Sequence, residues 1–163
     1  MKTIVNGHNK KILSEDTRSE ERTCNCPRNR VCPLAGNCLS KNTLYGATIS
    51  SNLPTHENKE YAGMSAPPWK DRLGTHTYTF NHREHAKTEI AKEVWAIKDQ
   101  GGDYNIQWRI IGHAPSYNPV SKKCNLCTVE KLYIAENLET LINKRDELAS
   151  KCRHRRKYAL DLI

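Results

Sequence analysis

Seven cysteines and one histidine, arranged in two groups, constrain the fold of this chain more than any other feature of its sequence. The groups are Cys24, Cys26, Cys32 and Cys38 near the start, and Cys124, Cys127, Cys152 and His154 near the end. Eight ligands are enough for two tetrahedral zinc ions, each with four protein ligands and no open position. The pattern therefore predicts two structural zinc sites. Two alternatives stay open: ligands exchanged between the groups, and thiols that bind no metal.

The low apolar content explains why the chain needs such cross-links. Its 163 residues suffice for one domain, but only 37% of them are hydrophobic and the mean hydropathy is −0.78. A core this thin usually needs a metal or disulfides. Residues 1–11 show no apolar secretory signal, and no run of about 18 apolar residues occurs anywhere. We therefore expect an intracellular protein with reduced thiols, which favours metal binding over disulfides.

The chain is basic, with a formal net charge of +8 and a pI near 9.2. Deprotonation of seven thiols and the addition of two zinc ions would lower this charge to about +5. The remaining excess is concentrated near the end of the chain, in Arg153, Arg155, Arg156 and Lys157. Such a cluster is typical of phosphate contacts and predicts nucleic-acid binding. The alternative is a solvated helix face.

The secondary-structure pattern predicts an α+β, or mixed α/β, domain. A β-branched and aromatic strand at 43–49 and a second strand near 60–64 favour an antiparallel pair. Ser65, followed by Pro67 and Pro68, favours a capped helix start. The remaining predictions are helices over 69–80 and from about 88 to Gly101, a strand over 106–110, and helices over 124–137 and 140–150. The result is a small antiparallel or mixed three-stranded sheet flanked by helices.

Six aromatic and polar residues follow one another in a family-specific order. Tyr45 ends Thr-Leu-Tyr and Tyr61 begins Tyr-Ala-Gly; Arg72, His76, Glu130 and Asn143 come after them. This set resembles the GIY-YIG endonuclease family. The cysteine-rich entry, and the Cys-x-x-Cys before Glu130, resemble the endonuclease domains of Penelope-like and related retroelements. The resemblance spans residues 24–157. It departs from the family at Thr-Leu-Tyr and at Ala62, where the family has isoleucine, whereas both tyrosines and Gly63 are kept.

Three of these residues have the chemistry of phosphodiester hydrolysis. Glu130 is a suitable carboxylate ligand for a catalytic magnesium or manganese ion, which keeps several of its waters. Arg72 and His76 are four residues apart and share one helix face. Arg72 can hold a nonbridging phosphate oxygen through its fork of donors. His76 is an alternative proton acceptor, because its unperturbed pKa is near neutrality.

The resemblance implies the remaining roles. Tyr45 would act with the metal-bound water as general base, Tyr61 would orient the phosphate or the water, and Asn143 would hold the site together by hydrogen bonds. Residues 1–22 are polar, mixed in charge and without periodicity, which predicts a flexible leader or the tail of an upstream domain. The expected division continues with a cysteine-rich zinc segment (23–40), a GIY-YIG-like nuclease domain with the second zinc site (41–157) and a tail (158–163). Without the resemblance, these residues are ordinary packing, surface and cap positions.

The sequence as a whole predicts a DNA-nicking endonuclease domain of a retroelement. Its expected partners are DNA and an upstream reverse transcriptase domain in the same polypeptide, and its expected location is the nucleus. The alternatives are a non-catalytic, zinc-dependent nucleic-acid-binding module and an inactive copy of the nuclease fold. The first alternative explains the cysteines and the basic end but leaves the set from Tyr45 to Asn143 unexplained.

Overall fold

The structure is a computed structural model that describes residues 22–154. The predicted tail and nearly all of the predicted leader lie outside these residues. The strands are β1 (Thr43–Ser51), β2 (Lys59–Ser65), β3 (Tyr104–His113), β4 (Tyr117–Asn118) and β5 (Lys123–Cys124). The helices are α1 (Trp69–Asn81), α2 (Glu89–Asp99) and α3 (Asn125–Glu136), with short 3-10 helices at Arg83–His85 and Arg145–Ala149. None of the described helices is long and apolar enough to cross a membrane.

The three long strands form an antiparallel sheet in the order β2-β1-β3, which confirms the predicted antiparallel pair and the α+β class. Tyr45 lies opposite Gly63 of β2, and Ala47 lies opposite Trp108 of β3. The β1–β3 register shifts between Leu44 and Tyr45, at a bulge that bends the strand next to the tyrosine. The short strands β4 and β5 form a separate hairpin that the sequence did not predict.

Helices cover both faces of the sheet, and residues 43–47 of β1 are accordingly buried on both sides. On one face, Tyr45 and Ile49 pack against α1 and α2, whose buried residues include Trp69 and Val94. On the other face, α3 contributes Ile134. Since successive side chains of a strand point to opposite faces, one strand serves both layers. The described part of the chain is therefore a three-layer arrangement with β2 at one edge.

The predicted limits of α1 and α2 are close to the observed ones, but Ser65 does not cap α1. Its hydroxyl donates to the Pro67 carbonyl instead, and the residue before the helix is Pro68. The end of α2 agrees with the glycine signal, since Gly101 has a positive φ of 73°. The Gly102 N–H bonds back to the Ile97 carbonyl, a bond that satisfies the helix end.

The predicted helix over 140–150 is wrong. Leu141 instead forms a parallel bridge with Glu60 of β2, and the Ile142 N–H donates to the Glu60 carbonyl at 2.8 Å. Only the short 3-10 helix over 145–149 follows. The edge of β2 offers unpaired backbone groups, and pairing with them holds this segment extended. This edge pairing brings the C-terminal segment beside β2.

Candidate active site and metal centres

The first cysteine cluster has the geometry of a metal site. The sulfur atoms of Cys24, Cys26, Cys32 and Cys38 all lie within 4.8 Å of one another. Cys26 Sγ is 3.6 Å from Cys38 Sγ, and Cys38 Sγ is 3.5 Å from Cys24 Sγ. Tetrahedral zinc with bonds of about 2.3 Å needs sulfurs about 3.8 Å apart, whereas a disulfide needs about 2.05 Å. All four thiols are free. The cluster could therefore hold zinc.

The backbone around this cluster already favours thiolate at one position. Burial raises the pKa of Cys32, but the backbone N–H groups of Leu34 and Gly36 donate to its sulfur, and the net result is a pKa of about 6. At Cys26 the sulfurs of Cys38 and Cys24, with burial, raise the pKa to about 12. Four neighbouring thiolates thus need a cation to coexist, and a bound metal supplies it.

The second cluster has mixed sulfur and nitrogen ligands. Its four ligand atoms, from Cys124, Cys127, Cys152 and His154, also lie within 4.8 Å of one another. His154 Nδ1 is 3.4 Å from Cys124 Sγ and 3.5 Å from Cys127 Sγ. Zinc bonds of about 2.3 Å to sulfur and 2.0–2.1 Å to nitrogen imply about 3.5 Å between such ligands. The two groups read from the sequence are the two groups that the fold assembles, and each could hold zinc.

The second cluster also sets the position of α3. Cys124 precedes the helix and Cys127 lies in its first turn, while Cys152 and His154 come from the C-terminal segment. Burial, and then the sulfurs of Cys124 and Cys152, raise the pKa of Cys127, so this thiol also needs a cation to ionise. A metal ion at this cluster would therefore tie the start of α3 to the end of the described chain.

A cleft of about 600 Å³ opens between the β2 edge, α1, α3 and the C-terminal segment. Three of the residues singled out in the sequence line it: Tyr61 of β2, Arg72 of α1 and Glu130 of α3. Cys127, Cys152 and His154 border the same cleft. Side chains as far apart in sequence as Tyr61 and Glu130 thus meet in one cleft beside the second cysteine cluster.

Tyr45 and His76 lie behind this cleft. Both are almost fully buried, and Tyr45 Oη is 2.7 Å from His76 Nε2. Arg72 Nε donates to the same hydroxyl oxygen at 3.1 Å. Because the Arg72 N–H can only donate, the single tyrosine proton is free to point at His76. His76 Nε2 then accepts, which places the imidazole proton of the neutral ring on Nδ1.

The electrostatics of this triad agree with that proton assignment. Burial, and then the charge of Arg72, lower the pKa of His76 to about 3, so the ring is neutral at physiological pH. The expectation that His76 accepts a proton with a pKa near neutrality is therefore wrong, because the buried site beside a guanidinium disfavours the imidazolium. Burial raises the pKa of Tyr45, although the Arg72 charge and hydrogen bond oppose this, and the phenol stays protonated. The pKa of Tyr61 is raised as well, first by burial and then by Tyr45. His76, Tyr45 and Tyr61 are therefore uncharged in the resting protein, whereas Arg72 carries its positive charge.

Gly63 makes room for the Tyr45 hydroxyl. A Cβ atom at this position would lie 2.5 Å from Tyr45 Oη and 2.7 Å from its Cζ. Such a distance is far inside van der Waals contact, so any larger residue would displace the ring. The glycine that follows Tyr61-Ala62 thus has a steric role across the strand pair.

Glu130 has the most perturbed carboxyl group of the cleft. Burial, and then the nearby carboxylate of Glu147, raise its pKa to about 7, although Arg72 and Lys131 act in the opposite direction. A carboxyl that is half-protonated near neutral pH, and half-buried beside a second carboxylate, is stabilised in its charged form by a cation. Glu130 could hold a divalent ion at this point.

Asn143 fastens the C-terminal segment to β2 by hydrogen bonds. Its Oδ1 accepts from the Ala62 N–H, and its Nδ2 donates to the Ala62 carbonyl, both at 2.9 Å. The same Nδ2 donates to Glu147 Oε2 at 2.7 Å. Glu147 lines the cleft with Glu130 and was not anticipated from the sequence. It stands in the charged run Arg145-Asp146-Glu147, where nothing marks it off from solvated residues.

Only part of the predicted basic cluster falls within the described residues. Arg153 is exposed and lies on the border of the cleft. Arg155, Arg156 and Lys157 lie outside the residues that the structure describes. Their predicted contacts with nucleic acid therefore stay a prediction.

Comparison with protein-family models, curated proteins and solved structures gives no match for this chain. The function of the cleft can therefore be inferred only from the side chains that line it.

Proposed function

We propose that this chain is a metal-dependent endonuclease of the GIY-YIG type that nicks DNA by hydrolysis of a phosphodiester bond. One observation supports this most strongly. Tyr61, Arg72 and Glu130 come from three different elements and line one cleft, with Tyr45 and His76 hydrogen-bonded directly behind Arg72. A cation ligand, a guanidinium and a tyrosine that can take part in proton transfer are groups that suit phosphodiester hydrolysis.

Each side chain has a role that its contacts allow. Glu130 would hold a magnesium or manganese ion, which would supply Lewis-acid stabilisation of the phosphate and acidify a water. Arg72 engages Tyr45 through Nε, which leaves its terminal nitrogens to hold a nonbridging oxygen. Tyr61 orients the phosphate or the water from the floor of the cleft.

Tyr45 would be the proton-transfer group, and His76 would orient its hydroxyl. His76 Nε2 accepts the hydrogen bond of the Tyr45 hydroxyl, and the Arg72 charge favours a phenolate at Tyr45. Tyr45 is fully buried, so a role as general base requires water to reach its hydroxyl past Arg72. Its neighbour Trp108 packs 5.9 Å from the Tyr45 ring centre, which keeps the ring in place.

The two metal centres are proposed to bind zinc for structure. Each has four protein ligands at zinc-like separations, so neither leaves a position for substrate. Protein purified without chelators should contain two zinc ions per chain, and zinc removal should unfold it, because metal binding and folding are coupled. Elemental analysis combined with circular dichroism measures both. A fully folded protein without zinc would remove this part of the proposal.

The retroelement origin, the upstream reverse transcriptase domain, the nuclear location and chromosomal DNA as target belong to the same proposal. They are supported by the motif order and the cysteine spacing alone.

Conversion of supercoiled plasmid to open circles tests the nuclease directly. Zinc-loaded protein should nick in magnesium or manganese and not without added divalent metal; omission rather than EDTA keeps the zinc in place. If the protein binds DNA but no divalent metal supports nicking, the non-catalytic, zinc-dependent binding module becomes the better description.

A further inference from the structure

We infer that the cleft is bordered by a phosphate-binding rim, formed by Lys87, Lys151 and Arg153, which holds the backbone of duplex DNA without reading its bases. The inference rests on the proposed function, because it names the surface that presents DNA to the same cleft. Its evidence is separate, since it comes from the charges around the opening rather than from the groups inside it.

The charge around the cleft is unevenly distributed. Six cationic side chains line it besides Arg72: Lys87, Lys92, Lys131, Lys144, Lys151 and Arg153. The carboxylates that line it are Glu89, Glu130, Asp146 and Glu147. Glu89, Glu130 and Glu147 are half-buried, whereas Lys87, Lys151 and Arg153 are exposed. Asp146 is the one exposed carboxylate among the described residues that line the cleft. A carboxylate floor beneath a cationic border suits a polyanion that must approach a bound cation.

Three of these cations already have partners inside the protein. Lys92 and Lys144 both pair with Glu89, at 2.7 and 3.3 Å. Lys131 donates to the Ser150 carbonyl. Binding of a phosphate by any of these three side chains would have to compete with an existing contact.

Lys87, Lys151 and Arg153 differ from them. None of the three forms an ion pair with another side chain between residues 22 and 154. Lys87 precedes α2, and the other two belong to the C-terminal segment beside the second metal centre. Two distant parts of the chain thus place, on one opening, cations that have no ion-pair partner within the described range, as contacts with successive phosphates require.

The same opening has no platform for bases. Tyr61 is the only Phe, Tyr or Trp side chain among the described residues that line it, and this side chain is buried. Proteins that bind single strands stack bases on exposed aromatic rings. Contacts to phosphate alone hold nucleic acid without sequence preference. The rim therefore favours a duplex of any sequence over a single strand.

Salt-dependent binding tests the rim separately from nicking. Fluorescence anisotropy is measured on zinc-loaded protein without added magnesium, with two unrelated short duplexes and a single strand. Lys87→Gln should flatten the dependence of log affinity on log salt by about 0.9, and Lys151→Gln with Arg153→Gln by about twice that. At about 0.1 M salt, each lost contact corresponds to roughly 8-fold weaker binding. Lys122→Gln, in the exposed turn between β4 and β5, is the matched control and should match wild type.

The two claims can fail independently. Unchanged salt slopes in the rim variants, no binding of duplex, or tighter binding of the single strand would each overturn the rim. Lys87 is remote in sequence from the metal ligands, so Lys87→Gln decides the result if the double variant loses zinc. A wild type that binds with the predicted slope but never nicks supports the rim and refutes the nuclease. A wild type that nicks, together with rim variants whose salt slopes are unchanged, supports the nuclease and refutes the rim.

Discussion

Replacement of Glu130 by glutamine should stabilise the protein at high pH when no divalent cation is present. In the unfolded chain this carboxyl ionises at its ordinary pKa near 4.5, but in the fold its pKa is about 7. Between these values the folded state binds a proton that the unfolded state has lost. The free energy of unfolding of the wild type therefore falls as pH rises from about 4.5 to 7, and the loss stays complete above that window. Glutamine does not titrate and escapes this loss.

The magnitude follows from the same pKa difference. A change in pKa from 4.5 to about 7 is worth about 3 kcal/mol at pH values above 7, since each factor of ten in the proton equilibrium is about 1.4 kcal/mol. Glu130 keeps part of its surface exposed, and solvent screening reduces this figure to about 1–2 kcal/mol. Roughly half of the loss falls between about pH 5.5 and 8, and zinc content is measured at each pH because metal affinity depends on pH.

Urea unfolding of zinc-loaded protein measures this difference. Between about pH 5.5 and 8, Glu130→Gln should gain about 1 kcal/mol of unfolding free energy relative to wild type. Added magnesium should narrow the gap, because it stabilises only the protein with the carboxylate. Glu136→Gln, exposed at the end of the same helix, serves as the control and should show no such trend. The reasoning would be refuted if the unfolding free energies of wild type and Glu130→Gln changed in parallel with pH. It would also be refuted if the wild type became more stable relative to Glu130→Gln as pH rises.

Two further substitutions test the surroundings of the site. Gly63→Ala should displace the Tyr45 ring, lower stability by about 1–3 kcal/mol and abolish nicking; Gly74→Ala, with no atom within 4 Å of the new methyl, should do neither in the same urea and plasmid assays. Nicking by Gly63→Ala at the wild-type rate would contradict the close contact. Glu147→Gln removes the second-largest cause of the raised pKa of Glu130, so the acid limb of the nicking rate against pH should move to lower pH. An acid limb that stays in place would show that Glu147 does not act on Glu130.

The sequence predicted the elements whose pattern is local. Strand β1 is a run of β-branched and aromatic residues, and α2 has an apolar face and ends in two glycines, so both could be placed within a few residues. The segment over 140–150 could not, because its conformation depends on pairing with the edge of β2 and on the bonds from Asn143 to Ala62. These contacts join residues about 80 positions apart, and no local pattern encodes them.

The site was predictable to the same degree. The two groups of candidate zinc ligands could be predicted because their cysteine spacing is distinctive. Tyr61, Arg72 and Glu130 were singled out from their order along the chain. Burial was not readable, so the placement of Tyr45 behind the cleft came only from the structure. Glu147 was missed because its contact with Asn143 exists only once the segment is folded against β2.

A matched pair of substitutions on α3 tests the nuclease claim most directly. Zinc-loaded wild type, Glu130→Gln and Glu136→Gln are compared for plasmid nicking in magnesium and for duplex binding on the same preparations. Wild type and Glu136→Gln should nick. Glu130→Gln should bind duplex equally well or slightly better, but its nicking rate should fall by roughly 100-fold or more, as expected when a main transition-state stabiliser is lost. Nicking by Glu130→Gln at the wild-type rate with intact binding would contradict the account, as would a wild type that binds DNA but never cuts it in magnesium or manganese.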